Sequence, residues 1–533
     1  MMKKFPLAVP VPLLTRSHNF LLLDTEYIFI MQNYNPLMNK LDIIGSVAEF
    51  VEDEQHLFFA LVSRGWRDAW GERPTFTRVV TPHTSVGQLT QCFRWGLHPT
   101  AAVCSAVASL GNLDLLVCAR AHHCPWAKDT CPRAAYGGHS DVLQYAQANG
   151  CLLCEETCEK AAEGGHLAVL QWLREHGCPW SYSTPCAAAR NRHLDIVEWA
   201  CQADCPINGN TFCASAAAGG SVEILQWAFE RHMPLDATVC ATAAAGGHLA
   251  AVMWLRSIGC SWDIRTCREA AVANHLVVLQ WARGKGCPWD ASTCWGAAAS
   301  GSLSTLRWAR ENGCPWDERT CSVAAETGHF DILEYARENG CPWNAHTCRK
   351  AARGGHLRIL CWARENGCEW DSHTCRGAAE GGHLDVLQWC RESGCPWGED
   401  TCAAAAGRGN LRLLRWCRAN GCPWDETTCI LAAEQGHLET LQWARSQGCP
   451  WNEDTCSGAA EGGFLETLQW ARANGCPWNE DTLMQAAGEG HLDVVEWAKA
   501  NGCRWSRFTC FWAASRGQHH VVDWARASGC PEY

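Results

Sequence analysis

The chain has 533 residues with a net charge of −12, 47% apolar and 19% charged residues. Length and apolar content allow a large core and exclude a disordered chain. The acidic balance predicts no nucleic-acid partner and no anionic membrane surface, since both ask for a basic footprint. The first segment, residues 1–36, reads as a tail, disordered or an overextended start with Met31 as another initiator. Its Met1–Leu14 portion carries two lysines and an apolar run, but Pro6, Pro10 and Pro12 interrupt it and no small-x-small cleavage site follows clearly. No stretch approaches the ~20 apolar residues of a membrane span. The 37 cysteines are an odd count in a long chain, unlike a short secreted disulfide scaffold, so a reducing cytosol or nucleus is expected.

Residues 37–75 predict a small helical module. Leu41, Ile44, Val47 and Phe50-Val51 share one amphipathic face; Leu57, Phe58, Leu61 and Val62 share another, followed by Arg64-Gly65-Trp66-Arg67. This order resembles an F-box, without the early Leu-Pro usual in that family. The resemblance implies docking to an adaptor of cullin-type ubiquitin ligases through Leu41, Ile44, Leu57, Leu61 and Trp66. The other reading is a cap that covers the apolar end of a repeat stack. Residues 76–100, with Leu89, Phe93 and Trp95, read as a degenerate first repeat.

From about residue 101 to 533 the chain is periodic. Cys-Pro-Trp begins at 287, 314, 341, 395, 422, 449 and 476, always 27 residues or a multiple apart. The same tripeptide at Cys124 and Cys178 and variants at Cys151, Cys205, Met233, Cys260, Cys368, Cys503 and Cys530 complete 16 units, with one 28-residue step before Met233. Each unit predicts a helix–turn–helix. In the unit around 320–343, Thr320 is the expected N-cap, with Cys321, Ala324 and Ala325 on one face. Gly328 ends this helix. A second helix carries Phe330, Leu333 and Tyr335-Ala336 inward, with Asp331 in its first turn and Arg337 in its last, as the helix dipole favours. Gly340 stops it and Cys341-Pro342-Trp343 returns the chain.

The run A-A-x-x-G-H-L-x-x-L followed by G-C resembles the ankyrin repeat. Aligned from Gly-His, Cys321 takes the family's inward Leu, Thr320 its Pro, Tyr335 a core Leu and Trp343 the buried aliphatic before Asn344. The usual 33-residue repeat is shortened by six, in the β-hairpin finger. The finger often supplies ankyrin binding contacts, so those do not carry over. The Cys-Pro-Trp variant resembles the large ankyrin families of brown algae and giant viruses. The expected fold is therefore all-α, an ankyrin-like solenoid of about 16 repeats behind a small N-terminal helical module.

Trp and Cys each occupy two slots per unit, 25 of the 30 Trp and 30 of the 37 Cys. The Trp rows are expected in a core ladder, each ring wedged between units, against a stacking platform for bases or sugars. The Cys are expected to be small buried hydrophobes, with no metal bound. The C-x2-C pair Cys151/Cys154 is the one zinc-like spacing. Ten histidines share one slot and are expected to cap the turn between helices. No phosphate loop, nucleophile elbow or H-E-x-x-H is present, so neither a catalytic residue nor a cofactor is expected. With the fingers short, the concave surface falls to the first helices. Their variable residues Glu163, Arg190, Glu326, Arg353, Glu380, Arg408, Glu434, Glu461 and Arg516 form a mixed-charge strip suited to a protein partner, or a solvated face. The leading expectation is a non-enzymatic interaction scaffold, with a ligase substrate receptor as its sharper form. The alternatives are a structural or decoy solenoid and a Cys/His metal array.

Overall fold

The computed structural model describes residues 84–94 and 97–531. Val86–Arg94 is followed by sixteen successive helix pairs, from Ala101–Leu110 and Leu113–Ala121 to Thr509–Ser515 and His519–Ala527. No strand occurs among the described residues. The chain divides into two compact units, Met1–Asn208 and Gly209–Tyr533. Each is built from the same helix-turn-helix repeat and is a helical solenoid in its own right. Within each, a first helix packs on its own second helix and on the first helix of the next repeat. The module expected at 37–75, with Leu41, Ile44, Leu57, Leu61 and Trp66, lies outside the described residues. In the span expected to bridge, Val86–Arg94 buries Leu89, and Phe93 stacks on His122 at 4.5 Å.

The first helix of one repeat, Glu318–Thr327, starts from Asp317, whose carboxylate accepts from the Arg319 amide at 3.1 Å. Asp317 holds the extended backbone that a cap needs, with φ −138° and ψ −177°. Thr320, expected as the cap, is instead the third helical residue. It is wholly buried and its Oγ1 has no hydrogen-bond partner among the described residues. The same Asp or Asn cap recurs at Asp263, Asp290, Asn344, Asp371, Asp425, Asn452 and Asn479. Helix Glu318–Thr327 buries Cys321, Ala324 and Ala325, as the spacing predicts.

Gly328 closes that helix at φ +85°, a left-handed conformation that favours glycine. A Cβ there would also stand 2.6 Å from the His356 ring of the next repeat. The second helix, Phe330–Glu338, buries Ile332, Leu333 and Ala336. Phe330 and Tyr335, expected to point inward, are only half-buried. The inward stripe is i, i+1, i+4, and Ile332 completes it. That slot varies among Val, Ile, Thr, Ala and Leu along the chain, so the repeat pattern hides it.

The fully buried core is mostly Ala, Cys, Leu and β-branched residues. Every described Cys is a free thiol. The two Cys rows meet in pairs, with Cys131 and Cys151 sulfurs 3.2 Å apart and Cys240 and Cys260 sulfurs 3.5 Å apart. The second-row thiols also donate backward, Cys341 to the Asp317 carbonyl and Cys368 to the Asn344 carbonyl, both at 3.3 Å. In most regular repeats a thiol thus ties the return turn to the residue 24 positions earlier. Burial pushes Cys205 up to about 12 and Cys503 up to about 11, which keeps these thiols protonated and inert near neutral pH.

Candidate functional site

Two surfaces carry chemistry: the charged ends of the first helices and the flank that holds the indoles. The indole rows correct an expectation. Of the two Trp slots only Trp227 is buried; the other rings are half-buried, so they flank the core rather than fill it. Where the return turn carries Trp, that ring meets a second-helix aromatic edge-on, as Trp343 meets Trp362 at 5.7 Å and 72°. An arginine from the preceding second helix covers its face, as Arg337 does at 4.1 Å from the Trp343 centroid. Arg337 also donates through Nη1 to the Cys341 carbonyl. The guanidinium is held at both ends, by a ring and by a carbonyl. The stack recurs at Trp180 in the first unit and from Trp262 to Trp505 in the second, where Lys499 replaces the arginine at Trp505. A shallow cleft of about 350 Å³ opens beside one stack, lined by Arg391, Trp397, Trp416 and Asn420.

The histidine slot lies against the previous repeat. Each His stands at the start of a second helix without capping it. The ring reaches back one repeat instead. His166 donates through Nε2 to the Tyr136 carbonyl at 3.0 Å, and His356 to the Glu326 carbonyl at 3.1 Å. His248 and His491 do the same toward Ala218 and Glu461. In these four units the capped turn is therefore the previous unit's. Where the slot holds a shorter side chain, Asn112, Ser221, Ser302 and Asn410 each accept from an amide of their own helix, and Asn410 also donates back to the Gly382 carbonyl at 3.5 Å. The C-x2-C pair does not converge either. Cys151 faces Cys131, while Cys154 stands before the next helix with its sulfur 3.6 Å from Thr157 Oγ1.

The structure brings part of the predicted charge strip together. Glu326 receives Lys350 at 2.8 Å and Arg353 at 3.6 Å. Arg353 reaches on to Glu380 at 4.0 Å, which also takes Arg349 at 3.2 Å and Arg376 at 2.7 Å. Arg376 continues to Asp400 at 3.9 Å, and Arg408 donates through Nε to the Glu380 carbonyl at 2.6 Å. Burial alone would raise the Glu380 carboxyl, but the Arg376 hydrogen bond and the Arg349 charge outweigh it and hold it below its ordinary range. Among the described residues Glu163 pairs only with Lys160 of its own helix, at 2.6 Å, and Arg190 is exposed. Arg516 pairs with Glu489. Among the described residues neither Glu434 nor Glu461 joins an ion pair. The helices Glu399–Gly407, Glu426–Glu434, Glu453–Glu461 and Glu480–Glu489 contain no Lys or Arg, and each opens on an acidic turn. That acidic run is absent from the repeat consensus, because it occupies the variable positions.

No helix among the described residues is long and apolar enough to cross a membrane. No protein-family model matches the sequence, and no curated protein matches it. Among solved structures, the chain is similar to the pentatricopeptide repeat protein PPR10 from maize, at 13% identity and a TM-score of 0.27, over 96% of this chain and 98% of that one. PPR10 in complex with an 18-nt psaJ RNA element is matched at 12% identity and TM-score 0.28, over 85% of each chain. The human ASB11 ankyrin repeat domain is matched at 18% identity and TM-score 0.25, over 30% of this chain and 84% of that one. These neighbours are helical-repeat proteins. One of them was solved with RNA, so the expectation that nucleic acid is excluded as a partner is corrected. The physical reason is that net charge sums over the whole chain and does not show local cations, such as the arginine that lies over a return-turn indole in many repeats.

Proposed function

We propose that the chain is a non-enzymatic scaffold of ankyrin type whose first-helix surface holds a polypeptide. The observation that carries this reading is the acidic run from Glu399 to Glu489, four successive first helices without a cation. The neighbouring strip from Glu326 to Arg408 neutralises itself, and among the described residues only Asp400 and Glu489 at the ends of the run meet an arginine, so the field of its middle helices is left for a partner. A Lys/Arg-rich segment of a protein fits it. The test is fluorescence anisotropy with a labelled basic peptide and an acidic control. Binding is expected for the basic peptide and should weaken with salt. Removing two half-exposed charges at ~0.5–1 kcal/mol each predicts a loss of about 5–30-fold in Glu434→Gln/Glu461→Gln. Unchanged affinity contradicts the reading.

A second reading follows from the half-buried indoles. A single-stranded oligonucleotide would stack along them, with the arginines beside its phosphates. RNA binding insensitive to Glu434→Gln/Glu461→Gln but lost in Trp397→Leu/Trp424→Leu would favour it. The sharper form of the scaffold, a substrate receptor of a cullin-type ubiquitin ligase, rests on the residue pattern of 37–75. Deleting 37–75 should abolish capture of the ligase adaptor by the full chain. Failure of the intact chain to capture it removes the ligase role and leaves the binding surface intact.

A further inference from the structure

We infer that Cys402, Cys417 and Cys422 form a three-coordinate sulfur site for a soft monovalent metal ion. Two of these cysteines belong to the pairs that every regular repeat carries. The third is an addition. Its slot, directly after the second-helix aromatic, holds Ala309, Ala336, Ala363, Ala444, Ala471 and Ala498 elsewhere in the second unit. Cys417 replaces that alanine and brings a third sulfur onto the pair. The three sulfurs all lie within 4.8 Å of one another and are fully buried. Cys390 makes the same replacement one repeat earlier, over Cys375 and Cys395, but those three do not close to that spacing.

The donor set selects the ion. Three thiolates and no harder ligand suit Cu(I), which is satisfied by two or three sulfurs. Zinc asks for four ligands, and no fourth His, Cys, Asp or Glu joins the group among the described residues. Binding releases the proton of each sulfur that ligates, up to three per ion. The Cys422 thiol hydrogen now spent on the Gly398 carbonyl, at 3.5 Å, would be one of them. A monovalent ion on two or three thiolates leaves negative charge in a dry core. Arg418, next to Cys417 in the chain and donating to the Cys422 carbonyl, is the cation placed to offset it.

The test uses the full chain, purified anaerobically under reducing conditions from copper-supplemented culture and dialysed against the Cu(I) chelator bicinchoninate. One retained copper per chain is expected, with a sulfur-to-copper charge-transfer band in the ultraviolet. Cys417→Ala restores the residue that most repeats use, so it should fold; far-ultraviolet circular dichroism checks this. Its retained copper should fall at least tenfold, whereas Cys390→Ala should keep it. No copper in the parent chain, equal retention in Cys417→Ala, equal loss in Cys390→Ala, or zinc held in place of copper each overturns the assignment.

Discussion

The stack of Arg337 on Trp343 is a sharp place to test the energetics of the flank. The ring has Arg337 4.1 Å from its centroid and the edge of Trp362 at 5.7 Å. Trp343→Leu mimics units that naturally carry Leu153 or Leu235 in this slot, so it keeps much of the apolar burial. It forfeits the edge-on ring contact, ~0.5–1.5 kcal/mol, and the cation–π contact, ~0.5–1 kcal/mol at a half-exposed site. The expected cost is about 1–2.5 kcal/mol, below the ~3–5 kcal/mol of a fully buried aromatic. Arg337→Met keeps the methylene packing and loses the same cation–π contact together with the hydrogen bond to Cys341. The double variant should therefore show a coupling of about 0.5–1 kcal/mol, the part both residues share. Repeat arrays open locally, so the assay is native-state hydrogen exchange of the amides in Ala345–Arg353 rather than a global melt. Strictly additive effects would refute the stacking argument, and a Trp343→Leu cost near 4 kcal/mol would return the ring to the core.

Three further outcomes follow. Asp317→Ala should destabilise its helix by ~1 kcal/mol through loss of the cap, while Thr320→Val, which deletes an unpartnered buried hydroxyl, should be neutral or stabilising; urea unfolding followed by circular dichroism checks both. His356→Ala should cost ~1–3 kcal/mol, because the Glu326 carbonyl loses its donor, and His356→Asn should recover part of this by capping its own helix as Asn410 does; hydrogen exchange at Glu318–Thr327 and Leu357–Glu365 separates the two modes. Because the folded Glu380 carboxyl is held below its ordinary range, its contribution is present above the unfolded-state value near 4.5 and is lost as pH falls through the lower folded value. Arg376→Gln should flatten that acid limb of stability, and an unchanged pH profile would remove the network from the account.

Much of the repeat was legible because its signals are periodic. Gly328, the Ala324-Ala325 pair and the Asp331-to-Arg337 polarity all stand where the spacing places them. The errors have two causes, a better cap a few residues away in the chain and contacts between repeats that no single repeat reveals. Thr320 has the chemistry of a cap, but Asp317 lies three residues earlier and holds the extended backbone. A histidine in this slot suggests a cap for its own turn, and only the stack shows that His166, His248, His356 and His491 cap the turn of the previous unit. The indoles repeat like core residues, yet a ring held by an arginine and a neighbouring ring edge needs only partial burial. The charge strip was readable as a set of variable positions. Its division into a self-neutralised part and an acidic part depends on which partners Glu380 and Arg353 reach.

The most direct measurement of the binding account is a hydrogen-exchange footprint of the full chain with and without a saturating Lys/Arg-rich peptide. Added protection should fall on Glu426–Glu434, Glu453–Glu461 and Glu480–Glu489. Protection confined to the Trp-bearing second helices, such as Leu411–Ala419 and Leu438–Ser446, would contradict it and move the binding surface to the indole flank.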